Sequence, residues 1–224
     1  MIIAQAQSEH GEIVLRQGSA GYELIVDGEF LMSSASGPSS AELVRLGLEQ
    51  VARPDRWRVL IGGLGLGFSL EAALAEPRVA EVQVVELEAA LIDWHRRGLL
   101  PETTALLRDN RADIVHDDLL RFLARCEARY DLIALDIDNG PDWLSHAGNA
   151  GLYTPAMLRR VAALLNPGGI ATFWSADRAP ALLERLRAAF GNVVAIESVD
   201  SNGAGKTIEA FIYLCRKPVP GSDG

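Results

Sequence analysis

Apolar runs alternate with longer amphipathic stretches along most of the chain. The runs predict strands at 57–61, 81–86, 112–115, 130–136, 169–174, 192–198 and 207–215. The amphipathic stretches predict helices at 40–52, 67–76, 88–97, 101–108, 118–126, 154–165 and 178–189. Such alternation indicates an α/β fold, a doubly wound and mostly parallel seven-stranded sheet. The last two strands should be antiparallel, because the short connection at 201–206 cannot hold a parallel crossover.

The first forty residues follow a different pattern. Short β-type runs lie at 13–15, 22–26 and 30–32, and the Asp27-Gly28 pair between two of them is a hairpin signal. We therefore predict a small N-terminal β-hairpin element over 1–38. A Rossmann-like domain is predicted over 39–224.

A glycine-rich turn joins the first two strands of the predicted sheet. The stretch from Val59 to Glu88 reads VLIGGLGLGFSLEAALAEPRVAEVQVVELE. Glycines at Gly63, Gly65 and Gly67 let a backbone approach a ligand, and Glu86 at the next strand end can accept hydrogen bonds from ribose hydroxyls. The full dinucleotide fingerprint is not present. S-adenosylmethionine, a single-nucleoside cosubstrate, therefore fits better than NAD. The alternative is a tight turn that binds nothing.

Composition narrows the class of partner. The formal charge is −9 with a pI near 5.0, and the basic residues form no stripe, so we expect no nucleic-acid partner. Two cysteines build no disulfide framework, and the four histidines have no metal-ligand spacing, so we expect no metal. No apolar run is long enough for a membrane span and no signal peptide is evident. We expect a cytoplasmic protein that acts on a small molecule.

Acidic residues follow two further strands of the predicted sheet. Asp117 and Asp118 follow the third strand, and Asp136 and Asp138 follow the fourth. In open α/β sheets, ligands bind beyond the carboxyl ends of the strands, so these acids should converge with Glu86. Each acid has a structural alternative: Asp118 as a helix cap, Asp138 as part of a turn. Asp136 at the end of an apolar strand is harder to explain without a partner or a function.

A long segment without clear periodicity follows the fourth strand. Residues 140–153 read GPDWLSHAGNAGLY, which exceeds the usual length of a βα loop. We predict a lid over the substrate in which Asn139, Trp143 and Tyr153 take part. The alternative is a disordered surface insertion.

Taken together, these motifs resemble the spermidine synthase-like (polyamine aminopropyltransferase-like) family, which has the class I S-adenosylmethionine-dependent methyltransferase fold. The resemblance rests on VDG at 26–28, the GG-x-G-x-G turn, VVELE at 84–88, DDLLRF at 117–122, YDLIALDID at 130–138, LYT at 152–154 and LLNPGGI at 164–170. It implies that Glu86 binds the cofactor ribose and that Asp117 holds the adenine amino group. It further implies that Asp136 removes a proton from the attacking amine and that Asp138 holds substrate.

The departures from the family pattern concern the polyamine and the cofactor tail. Gly65 stands where the family carries an Asp that contacts the amino group of decarboxylated S-adenosylmethionine. Leu31 and Ser40 replace a Gln and a Tyr of the polyamine site. Without the repelling carboxylate, intact S-adenosylmethionine is the expected cosubstrate.

The sequence thus predicts an enzyme in which an amine attacks the γ-carbon of the sulfonium and 5′-methylthioadenosine is released. If the amine is the cofactor's own, the product is azetidine-2-carboxylate, and enzymes that form it use this kind of fold. The alternatives are a small-molecule methyltransferase, a true polyamine aminopropyltransferase using the decarboxylated cofactor, and a non-catalytic nucleoside-binding module. A homodimer is compatible with the sequence.

Overall fold

Two β-sheets organise the chain. A computed structural model describes residues 1–19, 21–35, 38–137, 147–201 and 207–217. These residues form a four-stranded sheet and a seven-stranded sheet. None of the described helices is long and apolar enough to cross a membrane.

The seven-stranded sheet is the core of the molecule. Its strands are β5 (Trp57–Gly62), β6 (Val79–Glu86), β7 (Ala112–His116), β8 (Tyr130–Leu135), β9 (Leu165–Ser175), β10 (Asn192–Ser201) and β11 (Thr207–Arg216). They are arranged in the order β10-β11-β9-β8-β5-β6-β7. The neighbours from β9 to β7 are parallel, whereas β11 runs antiparallel to both β9 and β10. The predicted fold class, including the antiparallel final pair, is confirmed.

Helices cover both faces of this sheet. They are α1 (Pro38–Glu49), α2 (Phe68–Ala75), α3 (Ala89–Arg96), α4 (Pro101–Thr104), α5 (Leu119–Arg125), α6 (Pro155–Leu164) and α7 (Pro180–Phe190). On one face Phe122, Leu158 and Leu186 bring α5, α6 and α7 into one apolar cluster. On the other face Leu43 and Leu70 bring α1 and α2 into a second cluster. The doubly wound arrangement follows from these two clusters.

Two predicted elements differ from the structure. The helix predicted over 101–108 is split into the single turn α4 and a 3₁₀ turn at Leu106–Arg108. The strand predicted at 169–174 begins earlier, at Leu165, and its pairing with β8 shifts register between Tyr130 and Leu132. Gly168 has a φ of 75° inside that irregular stretch, and it lies with Gly169 within the strand.

The N-terminal element is a complete antiparallel sheet. Its strands are β1 (Ile2–Ser8), β2 (Gly11–Gln17), β3 (Tyr22–Val26) and β4 (Glu29–Ser33), in that order. Strand β1 was not predicted, because its alanines and glutamines carry a weak β signal and β2 supplies its hydrogen-bond partners. Ile13, Leu15 and Leu24 pack in one cluster with side chains of the main domain, Leu66, Leu91, Trp94 and Leu100. The division at residue 38 stays a prediction.

A buried carboxylate fastens the amino end of β8. One oxygen of Asp131 accepts hydrogen bonds from Arg53 at 3.0 Å and from Asn166 at 2.8 Å. Its other oxygen accepts from the backbone N–H of Arg58 at 2.9 Å. Asp131 is wholly buried, so its charge depends on these three donors. The contact joins β5, β8 and β9 at the edge of the sheet opposite the glycine turn.

We expect Asp131→Ala to destabilise the protein by about 1.5–3 kcal/mol, the scale of lost hydrogen bonds to a charged group, because the backbone N–H of Arg58 and the side chains of Arg53 and Asn166 lose their acceptor. Urea unfolding measures this loss. Asp113→Ala is the matched control, since Asp113 is an exposed strand acid with one hydrogen bond, to Gln83. The control should stay within about 0.5 kcal/mol of wild type. Similar losses in the two variants would contradict a structural role for Asp131.

Candidate active site

The carboxyl ends of β5, β6 and β8 meet at one edge of the main sheet. Gly62, the last residue of β5, pairs with Val85 on one side and with Leu135 on the other. Strand register therefore places the glycine turn after Gly62 between Glu86 at the end of β6 and Asp136 directly after β8. The convergence expected from the sequence is present for these three features.

The glycine turn requires glycine at its alternate positions. Gly63, Gly65 and Gly67 have φ values of 89°, 49° and 91°, in the left-handed region that favours glycine. A Cβ on Gly63 would lie 3.1 Å from the backbone oxygen of Asp136, and one on Gly67 would lie 2.5 Å from Cγ2 of Thr103. The turn is thus closely packed on both sides, with no room for side chains at Gly63 and Gly67.

Glu86 binds the backbone of the turn. One carboxylate oxygen accepts from the N–H of Leu64 at 2.7 Å, and the other accepts from the N–H of Glu88 at 2.7 Å. The residue is only 7% exposed. Burial raises the pKa of Glu86 above its ordinary value, and the backbone N–H donors oppose that rise. The backbone N–H of Gly65 is a third donor that lowers the pKa of this carboxylate, which leaves one of its four lone-pair sites for a hydroxyl donor.

Asp118 has a structural partner in the helix that follows it. Its side chain accepts from the N–H of Arg121 at 2.8 Å and so caps α5. This is the alternative that the sequence offered. A contact between Asp118 and a cofactor stays a prediction.

Asp117 lies against two arginines of α5. Its side chain is 7% exposed and forms an ion pair with Arg125, while Arg121 lies 3.9 Å away. It also accepts from the N–H of Asp118 at 3.0 Å. The pairing with Arg125 was not predicted, because a separation of eight residues lies beyond the i, i+3 and i, i+4 spacing of helical ion pairs. Any ligand amino group that binds Asp117 shares the carboxylate with Arg125.

The predicted catalytic and lid residues are only partly covered by the structure. Asp136 is half-buried directly after β8. Tyr153 ends a 3₁₀ segment, Ala147–Tyr153, and is buried in the apolar cluster of α5 and α6. Asp138, Asn139 and Trp143 lie outside the described residues.

Three side chains outside the predicted set of site residues support the glycine turn: Met32, His95 and Thr103. Met32 of β4 accepts from the N–H of Leu66 through Sδ, at 3.2 Å. His95 of α3 lies with Nε2 2.8 Å from the carbonyl oxygen of Gly65 and with Nδ1 2.6 Å from Oγ1 of Thr103. No local pattern reveals these contacts, because their partners lie far apart in the sequence.

Within the described ranges, no group of three or more His, Cys, Asp or Glu side chains has the arrangement of a metal site. The acids at this edge instead interact with backbone N–H groups and arginines. The site is thus equipped to accept hydrogen bonds from a neutral ligand and to attract a cationic one.

The profile of the spermine/spermidine synthase domain matches residues 42–183. The chain belongs to this family. The matched range contains the glycine turn, Glu86, Asp117 and Asp136, and the resemblance found in the motifs is confirmed. Met32 and the rest of the N-terminal sheet lie before the matched range.

Proteins named for two different reactions are similar to the chain. A polyamine aminopropyltransferase of Streptococcus uberis is 33% identical over 141 residues, which cover 63% of this chain and 47% of that protein. Putrescine N-methyltransferase 2 of Nicotiana tabacum is 28% identical over 172 residues, which cover 75% of this chain and 46% of that protein. The chain thus spans about half the length of these relatives.

Solved spermidine synthase structures share the fold. One, in complex with the transition state analogue AdoDATO, superposes with a TM-score of 0.82 at 18% identity and covers 97% of this chain and 74% of its own. The spermidine synthase of Thermotoga maritima superposes with a TM-score of 0.80 and covers 97% and 73%. Because 97% of the chain superposes, the superposition includes most of the four-stranded N-terminal sheet.

Proposed function

We propose that this protein is an S-adenosylmethionine-dependent enzyme in which an amine attacks the γ-carbon of the sulfonium and 5′-methylthioadenosine leaves. The observation that carries the proposal is that Glu86, the glycine turn and Asp136 lie together at one edge of the sheet. All three lie within the residues that match the family profile. Glu86 is fixed by the N–H of Leu64 at 2.7 Å, and the Cβ position of Gly63 lies 3.1 Å from the backbone of Asp136.

Glu86 is the proposed ribose acceptor. Its oxygens are oriented by the backbone N–H groups of Leu64, Glu88 and Gly65, and one lone-pair site remains, so a ribose hydroxyl could donate to it without displacing those bonds. Donation by hydroxyls would favour the ionised carboxylate, which burial alone disfavours. Ligand binding and ionisation of Glu86 would therefore support each other.

We expect Glu86→Gln to weaken binding of 5′-methylthioadenosine by about 1.5–3 kcal/mol, the scale of hydrogen bonds to a charged group. Isothermal calorimetry measures the affinity, and thermal unfolding checks that the variant is folded. Glu81→Gln is the matched control, because Glu81 lies on the same strand but far from the glycine turn. Its carboxylate forms an ion pair with Arg58 at 2.8 Å. Unchanged affinity in a folded Glu86→Gln variant would remove Glu86 from the site.

Asp136 is the proposed general base. An attacking amine must be neutral, and a carboxylate within hydrogen-bond reach can take its proton as the new bond forms. The amine nitrogen bonds to the γ-carbon, the carbon–sulfur bond breaks, and its electron pair stays on sulfur as a neutral thioether. Holding the nitrogen in line with the breaking bond supplies much of the remaining rate.

Product analysis decides between the routes. Incubation with S-adenosylmethionine and a diamine such as putrescine should release 5′-methylthioadenosine, and Asp136→Asn should lower kcat by roughly 10²–10⁴ while binding that nucleoside nearly normally. Without any acceptor, azetidine-2-carboxylate beside the nucleoside would indicate attack by the cofactor's own amine. Homoserine would indicate hydrolysis. S-adenosylhomocysteine as the product would overturn the γ-carbon mechanism.

Methyl transfer is the second candidate. The observation that favours it is the similarity to putrescine N-methyltransferases over three quarters of this chain. It shares the proposed cofactor site and differs only in which carbon of the sulfonium the amine reaches. The release of S-adenosylhomocysteine is its signature.

Intact S-adenosylmethionine is the proposed cosubstrate, in place of the decarboxylated form that the family resemblance implies. Gly65 brings no carboxylate to the turn. The structure adds a physical reason for its small size: a Cβ at this position would lie 2.8 Å from Sδ and 3.1 Å from Cε of Met32. An acid at 65 therefore needs the methionine to move.

We expect the natural protein to prefer the intact cofactor, and the double variant Gly65→Asp with Met32→Ala to shift kcat/KM toward the decarboxylated form by roughly tenfold or more, through repulsion of the carboxylate. Aspartate tolerates the left-handed φ of 49° at this position. The comparison is with Met32→Ala alone. Equal turnover of the two cofactors by the natural protein would contradict the argument.

The remaining expectations concern surroundings of the site. We propose a small-molecule amine as the partner and no resident metal. Cytoplasmic placement and a homodimer stay predictions.

A further inference from the structure

We infer that His95 and Met32 are positioning residues that fix the orientation of the Gly65–Leu66 peptide group. The inference rests on the proposed function only in taking the glycine turn as the nucleoside-binding turn. The carbonyl of Gly65 accepts from Nε2 of His95 at 2.8 Å. The N–H of the same peptide group, on Leu66, donates to Sδ of Met32 at 3.2 Å. One peptide plane is therefore held at both ends, by a side chain of helix α3 and by a side chain of the N-terminal sheet.

The hydrogen bonds define the form of His95. A carbonyl oxygen can only accept, so Nε2 carries a proton. The imidazole is wholly buried, which lowers its pKa and favours the neutral ring. Nδ1 is then the acceptor, and it receives the hydroxyl proton of Thr103 at 2.6 Å. Thr103 thus selects the tautomer that donates to Gly65.

The carbonyl of Leu100 agrees with this assignment. It lies 3.1 Å from Oγ1 of Thr103, which would compete for the single hydroxyl proton. However, it already accepts from the backbone N–H groups of Thr103 and Thr104, at 3.2 Å and 3.1 Å. The Thr103 proton is therefore available to His95 without leaving this buried carbonyl unpaired.

A glycine peptide needs such support more than any other. Gly65 lacks a Cβ and has a φ of 49°, so rotation of the peptide plane beside it meets little steric resistance. Because His95 is buried, its bond keeps the carbonyl of Gly65 pointing into the protein. Loss of the bond would allow the plane to turn, and binding would then carry the cost of ordering it again.

Strand β6 and the helix that follows it, α3, bind both an N–H group and a carbonyl group of the turn. Glu86 at the end of β6 holds the N–H of Leu64, and His95 on the following helix holds the carbonyl of Gly65. Met32 adds the N-terminal sheet to this support. The arrangement couples the geometry of the turn to an element that lies before the family-matched range.

Three variants test the inference. His95→Leu removes the donor but suits an apolar, buried site; His95→Gln returns an N–H near the position of Nε2; Met32→Leu keeps volume but removes the sulfur acceptor. His10→Gln is the control, because His10 lies in the turn between β1 and β2. We expect His95→Leu to weaken binding of 5′-methylthioadenosine roughly tenfold, His95→Gln to recover most of it, and the control to match wild type.

A second measurement needs no ligand. Amide hydrogen exchange over 62–68 should become faster in His95→Leu and Met32→Leu, with exchange in β8 unchanged, and slow again in His95→Gln. Unchanged exchange at the turn, or acceleration over the whole protein, would overturn the inference. If the variants show this exchange pattern but the natural protein binds no nucleoside, the proposed function fails and the positioning role stands.

Discussion

The carboxylate of Glu86 is the contact on which the candidate site depends. Burying an ionisable carboxyl is unfavourable, and the raised pKa of Glu86 reflects that cost. The cost is offset by backbone N–H donors from Leu64 and Glu88, each at 2.7 Å. One side chain therefore joins the end of β6, the glycine turn and the start of α3. Without it, the N–H of Leu64 would lose its acceptor and the turn would lose its anchor on β6.

The rest of the sheet brings other polar groups to this anchor. Parallel pairing of β5 with both β6 and β8 aligns their carboxyl ends, so residues far apart in the sequence share one edge. The opposite edge carries Asp131, whose three donors make it a structural acid. Acids at the two ends of the same strand thus differ in role because their surroundings differ: Asp131 is wholly buried among donors, and Asp136 is half-buried beside the turn.

Family membership defines the chemistry only in part. The family profile covers the sheet edge, and relatives named for aminopropyl transfer and for methyl transfer are both similar to the chain. The two reactions need the same nucleoside and an amine, and they differ in the carbon attacked. Gly65 bears on a separate question, for which we propose that the absence of a carboxylate at this position favours the intact cofactor. The methionine packed against Gly65 belongs to the N-terminal sheet.

The sequence by itself determined the α/β alternation, the antiparallel final strands, the glycine turn and Glu86 at the next strand tip. These features are local, because periodicity, glycine spacing and connection length act within a few tens of residues. Only the tertiary structure decided that β1 completes the N-terminal sheet, that 101–108 breaks into two short turns, and that Asp117 pairs with Arg125. It also decided that Met32 and His95 hold opposite ends of one peptide group. Those contacts join residues 30 or more positions apart, and their partners follow from how layers pack rather than from any pattern along the chain.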